Sequence, residues 1–320
     1  MSSIASSRTA SIPHTASVPP TARKRRSTLH RRQTIAAYVL VLPFVIIFIA
    51  MLVVPLVYSG YISLFRTQLV GGTTFVGFAN YIQAVADPQF LGAVARMLLF
   101  LFIQVPIMLG FALFFALALD SGRVRASRFV RLAIFVPYAI PGVVATLMWG
   151  YLYGPNFGPI AQVLHTLGIA APNLLAGNTI IGSIMNIITW EFVGYNMIIL
   201  YAAMRSVPTE LYDAAEVDGA GQIRIAWSIK IPAIRQAILL TVIFSIIGSF
   251  QLFNEPQLLF NLAPNAVGTS FSPNLYAYNL AFTNQDANYA AAIAFLLGIV
   301  IMVVSYSVQL TVQRRERSGN

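Results

Sequence analysis

The chain has 320 residues, of which 58% are hydrophobic and 9% charged, with no cysteine, three histidines and a formal net charge of +10. Soluble domains carry about 25% charged residues, so this composition excludes an ordinary soluble globular protein. It also excludes disulfides, thiolate metal sites and cysteine nucleophiles, and His14, His30 and His165 are too scattered for a histidine metal cluster.

In chain order, residues 1–36 come first. They are rich in Ser, Thr, Pro and Arg and contain no acidic residue. Such a segment buries too little apolar surface to fold, which predicts a disordered basic tail. A transit peptide is disfavoured by its prolines and poor amphipathic periodicity. A twin-arginine signal at Arg31 and Arg32 is disfavoured because the following apolar run is too long and lacks a small-residue cleavage site.

Residues 37–312 form the predicted membrane domain. Crossing a bilayer takes about 20 mostly apolar helical residues, and six stretches qualify: Ala37 to Phe65, Ala93 to Leu119, Leu132 to Tyr153, Thr179 to Met204, Ala237 to Phe260 and Tyr289 to Val312. Prolines 43, 55, 106, 137 and 141 inside them would break soluble helices, but neighbouring helices in a bundle can satisfy the freed backbone groups. Residues 313–320 complete the chain as a short tail.

The predicted spans sort the basic residues. Of the 20 Lys and Arg, all but Arg66 and Arg96 fall in the N-terminal tail, the second connection, the fourth connection or the C-terminal tail, which share one side of a six-span chain. The positive-inside rule therefore places both termini and connections two and four in the cytoplasm. Topology accounts for most of the charge. The Arg23 to Arg32 cluster lacks the interleaved aromatics of a nucleic-acid surface, so lipid, and not nucleic acid, is the expected surrounding.

The fourth connection reads ELYDAAEVDGAGQIRIAWSIKIP (210–232) and is too polar to span. Pro208 suits a first helical turn, and Glu210 and Asp213 complement the positive end of the helix dipole. Leu211, Ala214 and Ala215 share one side, small enough for another surface to come close. Gly219 and Gly221 permit a sharp turn, and a second segment, Gln222 to Ile231, should end at Pro232. A compact helix–turn–helix is predicted, either a plain connector or a surface for a partner.

This connection resembles the signature of permease subunits of binding-protein-dependent ABC importers, which runs Glu-Ala-Ala, three residues, Gly, nine residues, Ile, one residue, Leu, Pro. Here Asp213, Ala214, Ala215, Gly219, Ile229, Ile231 and Pro232 stand at every one of those spacings, with Asp for Glu and Ile for Leu. The segments FVPYAIPGVVATLMWGYLY (135–153), WEFVGYNMIILYAAMRSVPTELYDAAEVDGA (190–220), FQLFNEPQLLF (250–260) and SPNLYAYNLAFTN (272–284) are similar to the sugar-transporting branch, from about Ala37 to the end.

The resemblance implies an all-α integral membrane protein of a bacterial cell membrane. It has six transmembrane helices and, between helices 4 and 5, a cytoplasmic coupling loop built on Glu210, Asp213, Ala214, Ala215, Asp218, Gly219, Gly221, Ile229 and Pro232. It also implies the partners: a second, different permease, two ATP-hydrolysing subunits, and an extracytoplasmic sugar-binding protein facing connections three and five (Gly154 to Asn178 and Asn261 to Asn288). Loops of that length are uncommon unless functional. No phosphate-binding G-x-x-x-x-G-K-[ST] occurs in this chain, so ATP and Mg would be held by the ATPase subunits, and the chain is not expected to be an enzyme.

A sugar passage should offer amides, carboxylates and aromatics. Asn186, Glu191, Tyr195, Asn196, Gln251, Asn254 and Glu255, on predicted spans four and five, supply them. An ionisable residue inside a membrane is costly, so Glu191 faces a cavity, a neighbouring helix or the interface. Tyr195 could equally belong to an aromatic belt. The alternative function is an ion-coupled secondary carrier of a small polar solute, which would favour an internal repeat and ion-coupling acids. No repeat is evident.

Overall fold

The protein is seen in a computed structural model that describes residues 23–68 and 70–318. By internal contacts the chain divides into two units, Met1–Tyr58 and Ser59–Asn320.

The first unit, where described, is helical: α1 (Arg23–Phe48), a π-helical turn (Ile49–Val53) and the start of α2 (Val54–Ile62). The helix begins at Arg23, inside the segment expected to be disordered. Nothing between Arg23 and Pro43 breaks a helix, and Arg and Lys have good helix propensity. The part of that expectation covering residues 1–22 lies outside the described residues. Over residues 33–58 most side chains are exposed, Leu40 by 81% and Met51 by 77%, as an apolar helix is when lipid is its solvent.

The second unit opens with a departure from an all-α chain. β1 (Phe65–Gln68) pairs antiparallel with β2 (Gly72–Phe75), Phe65 opposite Phe75. Phe and Thr favour a pleated pair. Gly71 and Gly72, at φ 111° and 72°, take a turn closed to most other residues.

α3 (Ala79–Ala86) leads to the long α4 (Pro88–Asp120). Asp87 caps α4, its carboxylate accepting from Gln89 N at 2.8 Å, with Pro88 in the first turn. Phe90, Ala93, Met97, Leu101, Gln104, Met108, Ala112, Ala116 and Leu119 recur at helical spacing along α4 and are its buried stripe. α8 (Ile180–Arg205) buries Ile180, Ile184, Ile187, Glu191, Gly194, Met197 and Leu200 by the same periodicity and packs along α4. A Cβ on Gly194 would collide with the Ile134 carbonyl, which is how closely α5 (Ser127–Ala139) crosses α8.

Predicted span three is broken. α5 and α6 (Gly142–Leu152) meet at 95°. The cause is Pro141, which forces Ile140 out of the helical region, to φ −79°, ψ 129°. α7 (Pro159–Thr166) lies in the loop that follows.

Predicted span five differs more. After α9 (Glu210–Val217) the chain runs helically from Gln222 to Ala233, as α10 (Gln222–Ile225), a π-helical turn (Ala226–Lys230) and α11 (Ile231–Ala233). Pro232 sits within this run and does not end it, because a proline is tolerated in the first turn of α11. A 69° bend at Ile234 leads into α12 (Arg235–Phe250). That helix stops ten residues short of the predicted end, and residues 254 onward form a separate α13 (Asn254–Leu262). The carbonyls freed at the break are not left bare: Ser272 Oγ donates to Leu252 O at 2.6 Å and Asn274 Nδ2 to Gln251 O at 3.2 Å. α14 (Pro273–Tyr278) carries Asn274, and α15 (Ala287–Ser318) packs on α12 and α14.

Among the described residues, four helical stretches are long and apolar enough to cross a membrane: Gln33–Ile62, Pro88–Asp120, Ile180–Arg205 and Ala287–Arg314. The two bent pairs raise that to six if each is one crossing.

Candidate functional site

A cavity of about 290 Å³ lies among α4, α8, α12 and α13. Of the residues expected to line a passage, Tyr195, Asn196, Gln251, Asn254 and Glu255 do so. Asn254 and Glu255 reach it because the break at 251–253 swings α13 away from the line of α12, not because they continue a span. Phe100, Phe192, Phe244 and Phe253 supply flat apolar faces, and Gln104 adds an amide from α4 that the sequence reading had not singled out.

Three of the polar wall residues are held by their surroundings. Tyr195 stacks on Tyr138, ring centres 4.7 Å apart. Asn196 Nδ2 donates to Phe192 O one turn back at 3.0 Å. Gln104 Nε2 approaches Met108 Sδ at 3.3 Å and Thr189 Oγ1 at 3.4 Å. Asn186 is not on the cavity wall; its Nδ2 donates to the Tyr153 hydroxyl at 2.7 Å, tying α8 to the end of α6.

Glu191 also stands off the wall, yet it is buried beside Glu255. A methyl group built on Gly142 would stand 3.3 Å from Glu191 Oε1 and 3.9 Å from Glu255 Oε1. A side chain at the start of α6 would crowd Glu191 and touch Glu255.

The loop joining α8 to α12 is the second candidate element. α9 ends in a Schellman motif: Gly219 N donates to Glu216 O at 3.0 Å and Ala220 N to Ala215 O at 2.9 Å, with Gly219 at φ 78°. The spacing from Ala215 to Gly219 is therefore that of a helix-stop signal. Gly221, by contrast, sits at φ −72°, ψ 162°, extended backbone open to any residue, so the expectation that it needs to be glycine for the turn is corrected. Glu210 and Asp213 lie in the first turn of α9 as read from sequence, and Gln222 Nε2 bridges to Glu216 Oε1 at 2.6 Å across the turn.

The loop is anchored and yet largely open. Ile225 and Ile234 are buried and Ile229 half-buried, while Asp213, Ala214, Asp218, Gly219 and Pro232 are exposed and Ala215 half-buried. Lys230 is 5% exposed and reaches Asp120 Oδ2 at the end of α4 at 2.5 Å, its ammonium 4.8 Å from the Tyr212 ring centre. Burial, together with the Asp120 charge and against Arg205, pushes the Tyr212 hydroxyl above its ordinary pKa. Facing outward are four apolar side chains: Leu211, Val217, Ile223 and Trp227, at 52, 89, 78 and 69% exposure.

Two clusters escaped the sequence reading. Asp87 Oδ2 accepts from the Tyr276 hydroxyl at 2.6 Å and the Tyr289 hydroxyl at 2.8 Å, clasping α4, α14 and α15. Burial alone would raise the Asp87 carboxyl, but those hydroxyls and the Gln89 and Phe90 N–H groups hold it below the ordinary carboxylate value. Arg96 donates to the carbonyls of Ser270 at 3.1 Å and Phe271 at 2.5 Å and lies over the Phe271 ring. Only the Asp-Pro cap was visible locally; the partners lie far along the chain.

Helices of membrane length around a largely apolar cavity that carries amides and a carboxyl, with two cavity walls joined by an exposed turn, define a multi-pass membrane transport subunit. The chain belongs to the family described as binding-protein-dependent transport system inner membrane component, whose profile matches residues 82–318. It is 30% identical over 274 residues to the arabinooligosaccharides transport system permease protein AraP of Bacillus subtilis (strain 168), covering 84% of this chain and 86% of that one. To the diacetylchitobiose uptake system permease protein NgcF of Streptomyces coelicolor it is 32% identical over 242 residues, covering 72% and 68%. Its fold matches a chain of a bacterial ABC transporter involved in the import of the acidic polysaccharide alginate, with TM-score 0.79 and 19% identity over 90% of this chain and 99% of that one. This is a permease of the ABC transporter class, not an enzyme.

Proposed function

We propose that the protein is one of two transmembrane subunits of an importer that moves a di- or oligosaccharide from an extracytoplasmic binding protein into the cytoplasm by alternating access. The observation that carries this is the mechanical link: α8 and α12 both wall the cavity, and the loop between them presents four apolar side chains to solvent. The relatives named for arabinooligosaccharides and diacetylchitobiose support a carbohydrate cargo. So does a wall of amides, a carboxylate and aromatic rings, which suits hydroxyls and apolar sugar faces.

In this reading each bent pair is one crossing of a six-span domain covering residues 37–312, and both termini lie in the cytoplasm. Glu210, Asp213 to Ala215, Asp218, Gly219, Gly221, Ile229 and Pro232 belong to the loop that an ATP-hydrolysing subunit grips. Leu211, Val217, Ile223 and Trp227 are the knobs that enter it. ATP binding closes the paired ATPase subunits, the loop moves with them, and α8 and α12 re-aim the cavity toward the binding protein; hydrolysis restores the inward state. The other wall of the passage comes from a second, different permease.

The test is uptake by proteoliposomes holding both permeases, both ATPase subunits and the sugar-loaded binding protein. Sugar should enter only with ATP inside. Gly219→Pro should leave the protein inserted and abolish uptake, since proline is locked near φ −65° where this turn needs φ 78°. Uptake driven by an ion gradient with ATP absent would sink the reading in favour of a secondary carrier.

A further inference from the structure

The turn between α4 and α5 reads SGRVRASR (121–128) and sets Arg123, Arg125 and Arg128 within six residues, all exposed. Among the described residues none of these three guanidinium groups forms an ion pair or lies over an aromatic ring. Arg131, three residues further, covers the Tyr201 ring, and the acid at the end of α4, Asp120, is taken by Lys230. Nor does α5 gain from them. It has no acidic residue in its first turn, and Arg128 stands at the end of a helix where a cation is disfavoured. An apolar surface begins at the same place. Phe129, Leu132 and Val136, 71, 57 and 45% exposed, recur at helical spacing along one side of α5, and the bent pair that is long and apolar enough to be one crossing starts at Ser127. Three unpaired guanidinium groups thus stand at the rim of an apolar stripe.

We infer that the α4–α5 turn binds the phosphate of an anionic phospholipid in the cytoplasmic leaflet. The inference rests on the six-crossing orientation proposed above. The positive-inside rule accounts for the side on which the turn lies; the pairing of free guanidinium groups with an apolar stripe names a lipid over a soluble anion. A guanidinium presents its donors as a fork that matches phosphate oxygens, and basic residues gathered at the membrane surface favour an anionic headgroup over a zwitterionic one. Arg123, Arg125 and Arg128 take the headgroup while Phe129 and Leu132 take the upper acyl chain, so both ends of the ligand meet their own chemistry. Asp120 immediately precedes the turn and holds Lys230 of the loop joining α8 to α12, which puts the lipid beside the point where that loop is seated.

The experiment uses the complete transporter in nanodiscs, with a fluorophore on Ser127→Cys, the one cysteine this chain then holds, and the complex without that cysteine as background. The probes are phosphatidylglycerol and phosphatidylcholine carrying a nitroxide quencher high on the acyl chain. Phosphatidylglycerol should quench at a mole fraction on the order of tenfold lower than phosphatidylcholine. Arg123→Gln, Arg125→Gln and Arg128→Gln should each lower that ratio about two- to fivefold, and the triple variant should bring it to about one; the single variants carry the test if the triple one fails to assemble. Equal quenching by the two lipids, a preference that survives the arginine variants, or no quenching by either lipid, which would set the turn against another subunit, overturns the site. Orientation is read separately. In sealed right-side-out vesicles Ser127→Cys should react with an impermeant maleimide only after lysis. Reaction before lysis overturns the orientation and the site with it, whereas a missing lipid preference with the orientation intact overturns the site alone.

Discussion

Asp120→Asn tests whether the loop is held to the bundle by its buried charge pair. Lys230 Nζ lies 2.5 Å from Asp120 Oδ2, with the side chains 7% and 3% exposed. Removing one partner of such a pair leaves a buried charge and costs about 3–5 kcal/mol. Two contacts offset part of that loss. The Tyr212 ring at 4.8 Å retains about 1 kcal/mol of cation–π attraction, and the asparagine oxygen still accepts one hydrogen bond worth about 1 kcal/mol. The net loss is about 2 kcal/mol, or about thirtyfold in the equilibrium for local opening. Amide hydrogen exchange across residues 222–234 of the assembled transporter should therefore quicken by about thirtyfold, while exchange in the α4–α8 core stays unchanged. ATP hydrolysis should persist while uptake falls, because the lever has lost its seat. The double variant Asp120→Leu with Lys230→Met leaves no orphan charge and should restore protection to within about 1 kcal/mol of wild type. Unchanged exchange in the single variant, or a double variant as loose as the single, would refute the reasoning.

The turn offers a paired comparison. Gly219→Ala should cost about 1–2 kcal/mol from the left-handed backbone it must hold and reduce uptake, whereas Gly221→Ala should transport like wild type; equal effects would contradict the assigned dihedrals. Gly194→Ala should separate α5 from α8 and lower thermal stability by about 1–3 kcal/mol, read as a lower unfolding temperature in detergent. Because the Asp87 carboxyl is held below its ordinary value, its stabilising contribution is present above about pH 4 and is lost as pH falls further. The gap in unfolding temperature between wild type and Asp87→Asn should accordingly be constant from about pH 7 to pH 5 and close toward pH 2; a gap that widens with acid would reverse the sign.

Features carried by local spacing were legible in the sequence. The helix-stop geometry at Ala215 to Gly219 is written within one turn, and the buried stripes of α4 and α8 follow from period alone. Pro141 sufficed to mark the break between α5 and α6, although reading it as a tolerated proline hid the 95° bend. The end of α12 at Phe250 had no such mark. No proline or glycine stands at 251–253, and the chain can leave the helix there only because Ser272 and Asn274, some twenty residues on, accept the task of capping its carbonyls. That compensation is tertiary, and so is the meeting of Glu191 with Glu255, which α13 creates by turning back against α6. Asp87 could be read as a cap for α4, but its two tyrosines belong to elements that no local pattern connects to it.

The bend between α5 and α6 also bears on how the chain is made. At 13 and 11 residues the two arms are about 20 and 16 Å long, and a bilayer core is about 30 Å thick. Neither arm can be released into lipid by itself during synthesis, and the junction exposes backbone that hydrocarbon will not tolerate. α5 rests on α8 and α6 on α13, both of which are translated later. In the six-crossing reading proposed above, the partners that bury this segment emerge over roughly the next hundred residues, so the bent pair is completed only after α8 and α13 have been made.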